Sequence, residues 1–179
     1  MRTIAAIGAV TGGVFLGGCG VPSANTGSVS PASAGASSEA AVPAEQKPAP
    51  SWGQRYTWKS GLAIELAEPV ACKPSSYASP PNVERAVKVR FTIVNGTDKP
   101  YEAAALAFGN DVQFAGAKAE PIFDSGGSCG GGGLDAATVL PGKTYTYEQA
   151  YAVGKGKGEL QIALQPDFAS DKAVFVGQA

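Results

Sequence analysis

The sequence predicts an all-β protein, an antiparallel β-sandwich of immunoglobulin-like type with about seven to nine short strands. Three observations lead there. First, residues 86–94 alternate with a period of two. Val87, Val89, Phe91 and Ile93 share one face, and Lys88, Arg90 and Thr92 share the other. That is the pattern of a half-buried strand. Second, similar short runs recur from Trp52 onward, divided by Gly, Pro and Asn turn signals. Third, no stretch carries a convincing helical period.

The elements follow in order. Tyr56 and Trp58 share a face, residues 59–61 turn the chain, and Leu62, Ile64 and Leu66 share a face opposite Glu65. That is a hairpin signal. Residues 69–82 hold four prolines and Cys72 and read as a loop. The strand at 86–94 comes next, ended by the Asn95-Gly96 turn signal. Residues 101–108 form a second apolar run, counted among the strands, and residues 112–114 return antiparallel after a turn. Residues 115–135 are irregular, with a glycine-rich loop around Cys129, and 136–140 make a short strand. After Pro141-Gly142, Tyr145, Tyr147, Tyr151 and Val153 lie on one face of a long run with room for a bulge. A Gly/Lys turn at 154–158 leads to Leu160, Ile162 and Leu164, and Pro166 ends that strand. Residues 173–176 are the last strand, closed by Gly177. The stretch 52–179 is long enough for one core, burying about two-thirds of the unfolded chain's surface.

What precedes Trp52 differs in kind. Arg2 is followed by an uncharged, mostly apolar stretch at 3–16, the length of a signal-peptide core and short for a membrane span. Leu16-Gly17-Gly18-Cys19 follows directly. This tetrapeptide resembles the lipobox of bacterial lipoproteins. The resemblance implies a signal peptide at 1–18, acylation of Cys19, and a mature chain held by lipid at the outer face of the cell membrane. Two or more acyl chains hold stably, each buried methylene contributing ~0.8 kcal/mol. Residues 19–51 are nearly all Ala, Gly, Ser, Pro, Thr and Val. Such a composition cannot offset the entropy of ordering, so the segment is expected to be a disordered tether.

The order of motifs in 52–179 also resembles small secreted and lipid-anchored immunoglobulin-like proteins of actinobacteria. The residues that carry it are 85–97 (RAVKVRFTIVNGT), 122–125 (IFDS), 140–144 (LPGKT) and 173–175 (AVF). The resemblance implies fold and location. It implies no catalytic residue.

Composition narrows the chemistry. Fourteen basic and 15 acidic residues nearly cancel and no basic patch is obvious, so nothing argues for a nucleic-acid partner or for electrostatic binding to a membrane. The chain has no histidine. It therefore lacks the commonest general base, transition-metal ligand and pH switch, and Ser-His-Asp or Cys-His catalysis is impossible. Gly142-Lys143-Thr144 is not a phosphate loop, because the position five before Gly142 is Ala137 and a strand follows it. Glu120, Asp124 and Asp135 could offer oxygens to calcium, but without the Asp-x-Asp-x-Asp spacing they read as solvated loop acids. The aromatics Trp52, Tyr56, Trp58, Tyr145, Tyr147 and Tyr151 could stack on sugars, although their spacing fits a core better. Cys72 and Cys129 remain after acylation of Cys19, and an even pair in an exported domain is expected to form a disulfide. The expected function is a non-enzymatic surface lipoprotein, without cofactor or metal, whose sandwich binds a protein or cell-envelope partner. The alternatives are an envelope hydrolase using paired carboxylates and a carrier of an apolar ligand between the sheets.

Overall fold

A computed structural model describes residues 49–109, 111–130 and 136–179. The expected signal peptide, Cys19, Asp135 and nearly all of the expected tether lie outside the described residues. In chain order the strands are β1 (Arg55–Thr57), β2 (Leu62–Leu66), β3 (Val70–Cys72), β4 (Ala86–Asn95), β5 (Tyr101–Glu102), β6 (Asp111–Phe114), β7 (Ala117–Lys118), β8 (Pro121–Ile122), β9 (Thr138–Val139), β10 (Thr144–Ala152), β11 (Glu159–Leu164) and β12 (Ala173–Gln178). A 3₁₀ helix, Ala103–Gly109, follows β5.

All pairings are antiparallel. The first sheet runs β1-β2-β4-β10-β8, and β3 also pairs with β4. β2 covers residues 91–95 of β4, and β3 covers 86–88. The two therefore follow each other along one edge of β4. The ladder continues between them through Ala67 N–H to Arg90 O at 2.9 Å, and Pro69, which has no N–H, marks the break. The second sheet runs β12-β11-β6-β7, and β5 and β9 form a separate ribbon.

The two sheets pack face to face as a β-sandwich. Val87, Val89, Phe91 and Ile93 of β4 meet Leu160, Ile162, Leu164 and Phe175 of the second sheet in one core. These residues are fully or almost fully buried, and each contributes roughly 1.5–3 kcal/mol by leaving water. The opposite face of β4 carries Lys88, Arg90 and Thr92 as expected. Glu148 of β10 lies between two of them, 2.9 Å from the Lys88 Nζ and 2.9 Å from the Arg90 Nη2.

The twelve strands among the described residues exceed the expected seven to nine because short pairings such as β3, β5 and β7 have no readable period. The run at 101–108 is not a strand beyond Glu102. Ala103 and Leu106, three residues apart, both enter the core, and that spacing suits a helix of three residues per turn. Residues 112–114 accordingly pair with β11 and β7 rather than with the preceding run. β10 needs no bulge, since its register with β4 is unbroken from Thr144 to Ala152. The domain also begins slightly before Trp52, because Val176 N–H donates to Pro50 O at 3.0 Å. Trp52 lies over Gly177, where any Cβ would strike the indole, and its Nε1 donates to Gln178 O at 3.0 Å.

Candidate binding surface

At one end of the first sheet a second layer covers the outer face. Cys72 and Ala86 are directly paired, as are Ala150 and Ile122. Ala78, Ala86, Ile122, Cys129 and Ala150 form a small buried cluster of their own, with Cys72, Val83 and Ala152 packed against it. Ala86, Ala150 and Ala152 are the strand positions beneath this layer, so the loops 73–83 and 123–130 can sit close on the sheet.

Beside the hydrogen bonds between the Lys73 backbone and the Ser128 hydroxyl, three devices hold the two loops together. The first is the disulfide Cys72–Cys129, with Cα atoms 5.1 Å apart. The expected pairing is present, although Cys72 ends β3 and does not lie in a loop. The second is Asp124. Its Oδ1 accepts from Ser75 Oγ at 2.6 Å and from the Gly126 and Gly127 amides at 3.1 and 3.2 Å, and its Oδ2 accepts from the Ser75 amide at 2.8 Å. The Ser75 hydroxyl, helped by these amides, pulls the carboxyl down to about 2. Gly127 must be glycine here, since a Cβ would lie 2.7 Å from the Ser75 nitrogen and 2.9 Å from Lys73 O. The third is a reciprocal pair of backbone bonds between Ser79 and Phe123, at 2.9 and 2.8 Å. The Ser79-Pro80 peptide bond is cis.

Large apolar side chains stand out from this pad. Tyr77 is 83% exposed, Val70 56% and Phe123 54%. Three of the five exposed large hydrophobics among the described residues are therefore here. An open groove of about 350 Å³ runs along the first loop, lined by Ser75, Pro80, Pro81 and Asn82 among others. Hydrophobicity in the sequence signals core, and nothing in it marked Tyr77 or Phe123 as exposed.

The other candidate residues are placed as follows. Asp124 is turned inward on amides and a hydroxyl, and Glu120 pairs with Lys118 at 2.9 Å. Among the described residues no group of three His, Cys, Asp or Glu side chains could hold a metal ion. Glu65 pairs with Arg55, and Glu84 with Lys155. The aromatics belong mainly to the core. Trp58 is buried and donates to Asp171 O at 2.8 Å. Tyr56 meets it edge-on at 5.2 Å, and Tyr147 stacks on Phe91 at 4.8 Å. Burial raises the Tyr147 and Tyr101 hydroxyls well above the usual phenol value.

No protein-family model matches the sequence, and no curated protein matches it. Solved structures do match in shape. YcdA, a candidate lipoprotein of Bacillus subtilis, aligns at 16% identity over 69% of this chain with a TM-score of 0.52. The chain spans only 38% of the length of YcdA. The YjhA protein of Bacillus subtilis aligns at 12% identity over 70% of this chain and 97% of its own, with a TM-score of 0.52. At these identities the likeness is one of fold, a bacterial β-sandwich.

Proposed function

We propose that the chain is exported, acylated at Cys19, and displayed on the outer face of the cell membrane as a non-catalytic immunoglobulin-like domain. It belongs with the lipid-anchored sandwich proteins that it resembles in actinobacteria. The segment expected over residues 19–51 acts as its tether, and its disulfide-bound pad meets a partner in the cell envelope. The carrying observation is the Cys72–Cys129 bridge inside a buried cluster. Disulfides persist in oxidising compartments and are rare in the cytosol, so the bridge supports export. The four residues ending in Cys19 supply the means of attachment. The shared fold with YcdA, a candidate lipoprotein, is in keeping with this reading.

The test is Cys19→Ala in a bacterium that processes lipoproteins, followed by membrane fractionation and labelling with a clickable palmitate analogue. The wild type should label and sediment with membranes. The variant should lose the label and either leave the membranes or accumulate as precursor. A variant that fractionates and migrates like wild type refutes the anchor.

A further inference from the structure

We infer that the partner of the pad is the membrane surface itself, and that Tyr77, Phe123 and Val70 dip into the headgroup region of the bilayer beneath the anchored domain. This rests on the anchor proposed above and names what the pad touches. Exposed apolar side chains are the first observation. Phe123 is a member of the Ser79–Phe123 backbone pair, Tyr77 lies two residues before Ser79, and Val70 lies two residues from the disulfide. Ordering these side chains costs little, because the bridge and the Asp124 hub already fix their backbone. The Tyr77 ring, with its polar tip, is the kind of side chain that favours the membrane interface.

The second observation is where the chain joins the domain. Gly53 N–H bonds Leu66 O at 2.7 Å, and Leu66 is four residues before Val70. Trp52 reaches Gln178 O, and Ala179 in turn pairs with Gly158, directly before β11 and after the turn that follows β10. Pad and incoming chain thus belong to the same half of the sandwich, the half nearest Ala86 and Ala152. A chain anchored upstream brings that half toward the lipid.

The anchor favours a lipid surface over a protein partner. A tethered site works at an effective concentration in the millimolar range, so a weak contact suffices when the target is the surface that carries the anchor.

The experiment uses the mature chain, residues 19–179, with Cys19 as its free thiol and Cys72–Cys129 oxidised. The thiol is coupled to maleimide-headgroup lipid in vesicles of phosphatidylglycerol and phosphatidylethanolamine with brominated acyl chains. Tyr77→Trp adds an emitter at the exposed position, and the wild-type emission of Trp52 and Trp58 is subtracted. An indole at the interface should lose part of its added emission to the brominated lipid and shift to the blue. Adding Val70→Ser and Phe123→Ser should largely restore it. If the added emission of the coupled chain is the same with brominated and ordinary lipid, the inference is overturned. Self-association of the uncoupled chain on sizing columns that Tyr77→Ser abolishes would also overturn it, in favour of a second copy. Because the coupling is chemical, the result is independent of whether cells acylate Cys19.

Discussion

Asn95 is the buried polar residue on which one end of the sandwich depends. It is 0% exposed. Its Nδ2 donates to Val139 O at 2.7 Å and to Lys99 O at 2.8 Å, and its Oδ1 accepts from the Thr97 amide at 3.0 Å and the Thr97 hydroxyl at 2.8 Å. The side chain thus ties the end of β4 to its own turn and to β9. Asn95→Ala removes all four bonds. Thr97 and Lys99 can turn to water, but the Val139 carbonyl sits in a buried bond and is left stranded. A stranded buried acceptor costs ~1–3 kcal/mol and the remaining bonds ~1 kcal/mol net, so the expected loss is about 2–4 kcal/mol. With a urea m-value of about 2 kcal/mol/M, within the usual range, the unfolding midpoint should fall by about 1–2 M. Asn95→Asp keeps the shape but turns a carboxylate on two carbonyl oxygens. That carboxyl is expected to have a raised pKa in the folded state. Its penalty is then largest at neutral pH and relieved as pH falls through the folded value, because protonation restores one donor. Urea titrations at pH 7 and pH 4.5 should show the gap to wild type narrowing in acid. If Asn95→Ala costs less than about 1 kcal/mol, the tie between β4 and β9 does not carry the load assigned to it.

Other outcomes follow from the same geometry. Non-reducing peptide mapping should recover Cys72 and Cys129 in one linked peptide, and removing both should cost ~2–5 kcal/mol, the bridge closing a 57-residue separation; alkylation of both without reduction would exclude the bridge. Asp124 has a depressed pKa, so its contribution is complete above the unfolded carboxylate value, ~3.9, and is lost as pH falls through about 2. Asp124→Asn should flatten the stability curve across that acid window, and an unchanged curve would count against the hub. Limited proteolysis of the mature chain should leave a resistant fragment beginning near Trp52, and protection extending well before it would contradict the tether expected from composition.

The strands with one face on the core were legible in the sequence. In β4 and β11 the periodicity names the buried residues correctly, because one face meets apolar side chains and the other meets water. The pad was not legible for the same reason. Ala86 and Ala150 lie on the outer side of their strands, yet loops from distant parts of the chain bury them. Val70–Cys72 is too short and too closely flanked by Pro69 and Pro74 to show a period. Asn95 read only as a turn signal, since nothing local reveals that Val139 will arrive beside it. The cysteine pair was recoverable from count and compartment, while its seat at the end of a strand required the fold.

The segment Pro50–Trp52 lies alongside Val176–Gln178, through one backbone bond, one indole bond and the contact over Gly177. The first and last described parts of the domain are therefore side by side. A unit whose ends meet can be spliced into an exposed loop of a host protein without prying the host apart. Grafted in this way, the sandwich would be a portable cassette, with its pad held at the end where host and guest join.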